Sequence, residues 1–261
     1  MPCFPLATNP TKAKFGKVNL VLLNENEVVA GLAVDDPRTQ HLLQVVGLKI
    51  GQSFHAGIIQ SHRGIATITE IHPRFKFDLK REKEIQPRLP FDILVGLPRP
   101  ATAKKILYES ACLGINRILF FSSEKSDPSY AQSTLWKNKA WEEFLLKGAE
   151  QAYSTRLPDV EVYPSLSEAL ANISAQSWRV ALDPYEATEV LKSKTGEEKQ
   201  GVLAIGSERG WTAHERRLLR EKNFRFYHLG DRILRVEAAC LAGSAIMLSQ
   251  LEAWRPHRSV L

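Results

Sequence analysis

The chain has 261 residues, of which 44% are hydrophobic and 25% charged, and its formal net charge at pH 7 is +6. This length allows one large domain or two smaller ones, and the composition is that of a globular protein rather than a disordered or fibrous one. The three cysteines show no metal-ligand spacing, which argues against a zinc site and against a disulfide framework.

The sequence gives no sign of a membrane protein. No apolar run approaches the roughly 20 residues that a membrane-spanning helix needs. The first residues also lack the apolar core of a signal peptide. We therefore expect a soluble, cytoplasmic protein with no membrane partner, in which Cys3, Cys112 and Cys240 are reduced and the last two are small core residues.

Short strands dominate the first part of the chain. Segments 18–23, 53–59 and 64–71 are rich in β-branched and apolar residues, and Gly and polar turns separate them. A short helix is predicted at residues 40–46. Several short strands this close together predict a small β-barrel.

Basic residues are concentrated in the first third. Residues 1–90 hold 12 Lys and Arg against 8 Asp and Glu, which indicates where a polyanion would bind. We predict that segment 74–90, which is bounded by prolines, is an extended edge strand that runs into an interdomain linker. Its basic side chains are candidates for phosphate contacts: Lys76, Lys80, Arg81 and Lys83. A solvated linker is the equally open alternative.

From residue 91 the pattern alternates between strands and helices. Strands are predicted at residues 91–97, 116–121, 160–163 and 178–182, and helices at 101–113, 135–152 and 167–173. Gly114 follows the first of these helices at the position that favours a left-handed residue. The alternation predicts a parallel sheet that is covered by helices on both faces.

The last third contains two loop-to-helix junctions. In the first, the apolar segment 202–205 leads into Gly206. Thr212 and Glu215 then have the spacing of a capping box, which predicts a helix that starts at about Ala213. A strand that ends in a glycine turn before a helix is typical of α/β proteins that bind a ligand there.

The second junction repeats this arrangement. A strand is predicted at residues 224–229, Gly230 and Asp231 turn the chain, and an Ala-rich helix is predicted at 236–254. Glycine allows the backbone to approach a ligand closely and to take positive φ angles at low cost. The two junctions together predict a ligand crevice at the carboxyl ends of parallel strands.

The two junctions also carry a family resemblance. The segments IGSERG and HLGDRILRVEAA resemble the IGPEGG and LGxRILRxETA signatures of the SPOUT methyltransferases that methylate N3 of a uridine in small-subunit (16S) ribosomal RNA. Further resemblance lies in QHLLQVVGLKIGQSF, SSEKS and GAEQAYSTRLP, which are similar to the family's HLxxVLRLKxGD, SERS and AAEQSxRxxxP. Four positions depart from the family pattern: Gly47, Gln52, Ser207 and Arg209 replace Arg, Asp, Pro and Gly. Because arginine takes a positive φ at a cost, Arg209 predicts an altered first loop.

The resemblance implies an α/β protein with two domains. Residues 1–74 would form a PUA-like β-barrel that binds RNA, 75–90 a linker, and 91–261 a trefoil-knotted (SPOUT) parallel-sheet domain. The family also implies a homodimer with S-adenosylmethionine bound near the interface. The expected partner is ribosomal RNA or the small ribosomal subunit.

The resemblance places the cofactor at three strand ends. The residues expected to contact S-adenosylmethionine are Leu182, Asp183, Ile205, Gly206, Leu229, Gly230, Ile233 and Leu234. The residues expected to contact RNA are His41, Lys49, Lys76, Arg81 and Arg156. No metal site is expected.

Methylation at N3 requires that the uridine first lose its N3 proton. A neighbouring cation favours the resulting anion, and a carboxylate can accept the proton. The family motif contains Arg232, Arg235 and Glu237, which are therefore the predicted catalytic residues. Glu237 has an equally simple structural role, since an acid in the first turn of a helix is favoured by the helix dipole.

Two alternative functions remain open at this point. In the first, the chain is a paralogue that methylates a different RNA site. In the second, it is a non-catalytic RNA-binding or assembly protein whose cofactor loop has decayed. An unrelated doubly wound nucleotide-binding protein is disfavoured, because the sequence contains no GxGxxG and no GKS/T phosphate-binding loop.

Overall fold

A computed structural model describes residues 19–83, 85, 87–194 and 196–254. Cys3 and the first residue of the predicted strand 18–23 lie outside this part of the chain. Within it, ten strands form two separate sheets, one of four strands and one of six. No helix in the described ranges is long and apolar enough to cross a membrane.

The first sheet is built from the first third of the chain. Its strands, in spatial order, are β1 (Val21–Leu23), β2 (Ser53–Ile58), β3 (Arg63–Glu70) and β4 (Lys76–Lys83). β1 is parallel to β2, and the other neighbours are antiparallel. A core of aromatic rings lies on one face, where Phe54 is 5.7 Å from Phe77 and 6.0 Å from Phe75 between ring centroids. This face explains the alternation of buried and partly exposed residues along β3.

Short helical segments connect β1 to β2. They are α1 (Glu25–Ala30), α2 (Pro37–Gln40) and a π-helical turn (His41–Val45). The turn lies where a short helix was predicted. α1 was not predicted, and it buries none of its side chains, so that no apolar periodicity indicates it. Arg38 fixes this region through hydrogen bonds to Glu27, to Asp36 and to the carbonyl of Leu22.

The predicted edge strand in segment 74–90 corresponds to β4. This strand pairs along its length with β3 and forms one edge of the first sheet. Lys76, Lys80 and Arg81 are exposed on it. Lys76 lies 2.6 Å from the Glu70 carboxylate, and Arg81 lies 3.6 Å from that of Glu25, so both cations have an acidic neighbour.

The second sheet is parallel throughout. Its strands are β5 (Phe91–Gly96), β6 (Arg117–Phe121), β7 (Asp159–Tyr163), β8 (Ser177–Leu182), β9 (Gln200–Ile205) and β10 (Arg225–Tyr227), and their spatial order is β10-β8-β9-β5-β6-β7. β9 lies between β8 and β5, so the carboxyl ends of strands that are distant in sequence lie side by side. Ligands bind at such positions in open α/β sheets.

Helices cover both faces of the second sheet, as predicted. They are α3 (Pro100–Leu113), α4 (Thr134–Lys137), α5 (Glu142–Gln151), α6 (Leu166–Ala171), α7 (Ala213–Glu221) and α8 (Val236–Gln250). One core contains Ile106 of α3 and Met247 of α8, and the other contains Leu170 of α6 and Leu219 of α7. Cys240 is buried and Cys112 half-buried, and both thiols are free.

The elements around α3 and α7 follow the sequence patterns closely. Gly114 ends α3 in a left-handed conformation, with φ 76° and ψ 29°. α7 starts at Ala213, where the Thr212 hydroxyl accepts from the Glu215 amide at 3.0 Å. The Thr212 amide in turn donates to the Glu215 carboxylate at 2.8 Å, which completes the predicted capping box.

Three predicted elements differ from the observed ones. The single helix predicted at 135–152 is wrong, because α4 and α5 are separate and Lys139 between them has a φ of 52°, which an α-helix cannot contain. The last helix ends at Gln250 rather than at residue 254, and Glu252 likewise has a φ of 52°. β10 is three residues long, shorter than the predicted strand 224–229.

The two sheets meet at the end of α5 and at the residues that follow it. The Leu20 amide donates to the Glu150 carbonyl at 3.3 Å, and the Gln60 amide donates to the Thr155 carbonyl at 2.8 Å. The Leu22 amide donates to the Glu150 carboxylate at 3.4 Å, and burial raises the pKa of this carboxyl group. Glu150 therefore links the first sheet to the helix that packs on the second.

Candidate functional site

A cavity of about 530 Å³ lies at the carboxyl ends of β8, β9 and β10. This volume is within the range of small-molecule binding sites. Its walls come from residues 182–185, 205–211, 228–230, 232–237 and 239, and Arg99 and Thr102 at the start of α3 complete it. The strand order brings these segments together, because β10, β8, β9 and β5 are neighbours in the sheet and the segments follow their carboxyl ends.

The predicted cofactor and catalytic residues meet in this cavity. All eight residues that were predicted to contact the cofactor line it: Leu182, Asp183, Ile205, Gly206, Leu229, Gly230, Ile233 and Leu234. The three predicted catalytic residues line it as well: Arg232, Arg235 and Glu237. Their chemical roles remain predictions.

Two glycines shape the cavity in different ways. Gly230 has a φ of 107°, and a Cβ atom built there would meet no heavy atom within 4 Å, so its α-carbon faces open space. Gly206 lies in a closed turn, where a Cβ atom would come within 3.1 Å of the Gly210 carbonyl carbon. A side chain at either position would narrow the cavity or open the turn.

The loop between β9 and α7 is held against β8 by Trp211. The buried Trp211 indole donates to the Leu182 carbonyl at 2.9 Å and stacks on Phe121 with 6.0 Å between ring centroids. The positive φ in this loop, 68°, lies at Gly210 and not at Arg209. Arg209 therefore avoids the strain that its replacement of a family glycine predicts.

Asp183 lines the cavity, but its carboxylate is engaged within the protein. The side chain is 1% exposed and accepts from Arg216 Nε at 2.6 Å and from the Tyr185 amide at 2.9 Å. The hydrogen bond to Asp183 raises the pKa of Arg216, which keeps the guanidinium charged. The Asp183 side chain thus fixes the end of β8 from within the protein.

The loop that precedes α8 presents its side chains at the mouth of the cavity. The Arg232 side chain is 88% exposed, and its guanidinium lies 3.9 Å from the Asp231 carboxylate. Arg235, the residue before α8, is also exposed. Ile233 is 72% exposed, which is unusual for an isoleucine. This loop combines exposed cations with exposed apolar surface.

Glu237 lies in the first turn of α8 and pairs with Lys105 of α3 at 3.1 Å. Burial acts to raise the pKa of Glu237, but hydrogen bonds from its own amide and from Lys105 lower it overall. A carboxylate with a lowered pKa is a weak proton acceptor. The surroundings of Glu237 therefore favour the structural role over that of a base.

The sequence and the fold of the chain are similar to those of known proteins. A family profile described as an RNA methyltransferase domain matches residues 85–248. The ribosomal RNA small subunit methyltransferase E of Treponema pallidum is 33% identical over 252 residues, which are 91% of this chain and 93% of that protein. The chain belongs to this RNA methyltransferase family.

Other members of the RNA methyltransferase family extend the similarity. Ribosomal RNA small subunit methyltransferase E 1 of Borreliella burgdorferi is 30% identical over 235 residues, 90% of this chain and 99% of that protein. The fold is shared with a ribosomal RNA small subunit methyltransferase E from Neisseria gonorrhoeae, solved with S-adenosyl methionine bound, at a TM-score of 0.71 and 21% identity. That similarity covers 89% of this chain and 97% of the other.

The predicted RNA contacts of this family member lie outside the cavity. His41, Lys49, Lys76 and Arg81 are exposed on the elements of the first sheet. Arg156 is half-buried in the segment that joins the two sheets. The structure thus brings the cofactor and catalytic candidates together, and it does not bring the RNA candidates to the same place.

Several residues of the cavity were not predicted. They are Arg99, Thr102, Pro184, Tyr185, Glu208, Trp211 and His228, among others. Arg99 and Glu208 link two loops of the cavity, since the Arg99 amide donates to the Glu208 carboxylate at 3.0 Å. The sequence feature that could have identified these residues is their position after buried strands, where loops of α/β proteins form binding sites. Across the described part of the chain, no group of three or more His, Cys, Asp and Glu side chains is placed to hold a metal ion.

Proposed function

We propose that this chain is a cytoplasmic methyltransferase that uses S-adenosylmethionine to methylate N3 of a uridine in small-subunit ribosomal RNA. One observation carries the proposal: eight candidate cofactor residues and three candidate catalytic residues, from separate loops, line a single cavity. The names of the relatives support the choice of substrate, because both are small-subunit ribosomal RNA methyltransferases.

The residues of the cavity fit S-adenosylmethionine. Leu182, Ile205 and Leu229 give it apolar walls, and the glycine loops bring main-chain groups to its surface. The open space beside Gly230 allows a ligand to approach the backbone closely. When bound, the cofactor supplies an electrophilic methyl group.

The arginines at the mouth of the cavity would act on the uracil. Arg232 and Arg235 are exposed and carry no strong ion pair in the described structure, so their guanidinium groups can meet a phosphate or the base. A guanidinium near N3 lowers the free energy of the uracil anion that forms when the N3 proton leaves. Glu237 is the weaker candidate for a catalytic role, because Lys105 holds it as a carboxylate of lowered pKa.

We also propose the domain organisation that the resemblance implies. The first sheet has its own aromatic core and exposed basic residues, which suits a PUA-like RNA-binding domain. Its last strand, β4, ends at Lys83, so we propose to place the end of this domain after β4 rather than at residue 74. The second sheet, with β9 inserted between β8 and β5, would be the trefoil-knotted catalytic domain.

A homodimer would cover the apolar surface beside the cavity. Tyr185, Ile233 and Leu241 are 71%, 72% and 40% exposed, and the first two line the cavity itself. Exposed apolar groups of this size are typical of interfaces. We propose that a second copy of the chain packs on this side, which would enclose the cofactor.

The decayed-loop alternative has little support from this geometry. It depended on a loop distorted at Arg209, whereas the positive φ lies at Gly210 and the cavity is open. The paralogue alternative keeps the methyltransferase activity and changes the RNA site that is methylated, so mapping the methylated site decides it.

The test is methyl transfer to small ribosomal subunits that lack the modification. The purified protein would be incubated with subunits and S-adenosylmethionine, and the RNA digested to oligonucleotides, which give the position, and to nucleosides, which give the product, for mass spectrometry. We expect N3-methyluridine at one position of the small-subunit RNA. Methylation at another RNA site would support the paralogue alternative, and no methylation of subunits or free RNA would contradict the proposed function.

A further inference from the structure

The segment that follows β6, residues 123–126, contacts the cavity loops through four consecutive residues. Ser126 Oγ donates to the Leu97 carbonyl at 2.8 Å, in the loop that leads to α3. Ser123 Oγ lies 3.5 Å from Ser207 Oγ, and both residues are buried. This is the segment that resembles the family's SERS motif, and the proposed function assigns it no role.

Glu124 joins the same segment to the start of α7. Its carboxylate accepts from Thr212 Oγ1 at 2.7 Å and lies 2.6 Å from His214 Nδ1. Its amide donates to the buried Glu215 carboxylate at 3.1 Å. The hydrogen bonds from Thr212 and His214 lower the pKa of Glu124, which keeps it ionised at neutral pH. The far end of the cavity loop is thereby anchored.

Lys125 holds the middle of the cavity loop. Its ammonium group donates to the Trp211 carbonyl at 2.8 Å and to the Arg209 carbonyl at 3.3 Å. These two carbonyls flank Gly210, the residue of positive φ. One charged group therefore holds the peptide that precedes Gly210 and the peptide that follows Trp211. The Gly210 amide completes the turn by donating to the Ser207 carbonyl at 2.8 Å.

We propose that Lys125 is a positioning residue for the cofactor: it holds residues 206–211 in the conformation that forms one wall of the cavity. The inference rests on the proposed function for the identity of the ligand. A wall that is already ordered before binding reduces the conformational entropy that is lost when the ligand binds. Both carbonyls accept from the same ammonium group, so its removal takes a hydrogen bond from each of them at once.

The test compares Lys125→Met, which keeps the aliphatic stem, with Lys125→Arg and with Lys137→Met, an exposed lysine on α4 that serves as a matched control. Calorimetry measures the Kd for S-adenosylmethionine. We expect Lys125→Met to weaken binding about tenfold or more, as loss of a hydrogen bond to a charged group does. Lys125→Arg should retain most of the affinity because it can donate to both carbonyls, and Lys137→Met should match the wild type.

Amide hydrogen exchange without cofactor gives a second, independent readout. Lys125→Met should raise the exchange rate at residues 206–211 and leave the strands of the second sheet unchanged. Exchange that rises across the whole sheet would assign Lys125 to general stability and overturn the inference. Wild-type affinity in Lys125→Met would also overturn it while the proposed function stands. Absence of cofactor binding by the wild type would instead overturn the proposed function, and the inference with it.

Discussion

At Gly230 the backbone takes a φ of 107°, and the space where a side chain would lie belongs to the cavity. Gly230→Ala should cost about 1–2 kcal/mol in unfolding free energy, because an L-residue is strained at this φ. It should also reduce affinity for S-adenosylmethionine at least about tenfold, since the new methyl group enters the space of the ligand. Denaturant unfolding and calorimetric titration measure the two effects.

The control for Gly230 is Gly51→Ala in the first sheet domain. Gly51 has a φ of 81°, and a Cβ atom there would also meet nothing within 4 Å. The two variants should lose similar stability, and Gly51→Ala should bind the cofactor as the wild type does. Equal cofactor affinity in both variants would contradict the placement of the ligand beside Gly230.

Arg232 is the sharpest test of the predicted catalytic residues, because its side chain is 88% exposed and contributes little to the fold. Arg232→Ala should change the unfolding free energy by less than about 0.5 kcal/mol. It should lower kcat/KM for methyl transfer by about 100-fold or more, as expected when a group that stabilises a developing anion is removed. Arg217→Ala, at an exposed arginine of α7 outside the cavity, is the matched control.

Two results for Arg232 would count against its role. Activity of Arg232→Ala within a few-fold of the control would exclude a contact with the reacting uracil. A rise in KM alone, with kcat unchanged, would place the guanidinium on a phosphate rather than on the base.

At the scale of elements, α8 packs closely on the second sheet at Gly243. A Cβ atom there would lie 2.8 Å from Leu203 Cδ2 and 3.0 Å from Leu182 Cδ1. Gly243→Ala should therefore destabilise the protein by about 1–3 kcal/mol through overpacking, even though alanine favours helices. Denaturant unfolding measures this, with Ser249→Ala on the exposed side of α8 as the control. A stabilised Gly243→Ala variant would show that α8 can move away from β9.

The elements of the second sheet were largely predictable because their local pattern agrees with their burial. Strands such as β5 and β9 are nearly continuous runs of buried residues, and Gly114 marks the end of α3. The break at Lys139 was not predictable, because a lysine carries no signal for a left-handed φ. α1 was missed for the opposite reason, since a helix that buries no side chain leaves no apolar periodicity.

The residues of the site also fall into two groups, those that local motifs predict and those that only long-range contacts bring together. The cofactor candidates come from motifs at strand ends, and the structure places all of them in the cavity. Arg99 and Lys125 contact the cavity loop from positions 109 and 84 residues away in sequence. Only the order of the parallel strands brings them there, and the sequence pattern does not specify that order. The motif at residues 122–126 is visible in the sequence, but the sequence does not show which residues it contacts.

For the molecule as a whole, Arg38 makes stability depend on acid pH. Hydrogen bonds from Arg38 lower the pKa of Asp36 below its ordinary value of 3.8. Burial acts to raise the pKa of Glu27, but Arg38 lowers it overall, below the ordinary 4.5. Because the pKa of each carboxyl is depressed by folding, its contribution is fully present above the ordinary value and is lost as the pH falls through the lowered one.

Unfolding by urea between pH 7 and pH 3 checks this dependence. The wild type should lose stability below about pH 4.5, and Arg38→Met should show a smaller loss over the same interval because Glu27 and Asp36 lose the part of the pKa lowering that the Arg38 guanidinium supplies. Arg88→Met, which removes an exposed ion pair with Asp159, is the control. The same pH dependence in Arg38→Met and wild type would assign the acid sensitivity to other carboxyl groups.

The most direct test of the central claim is a calorimetric titration of the purified, folded chain with S-adenosylmethionine. The account predicts saturable binding with one site per chain, reduced in Gly230→Ala and unchanged in Gly51→Ala. Absence of binding by the folded wild type would contradict it. If Arg209→Gly then restored binding, the result would identify a decayed cofactor loop and leave the chain as a non-catalytic RNA-binding protein.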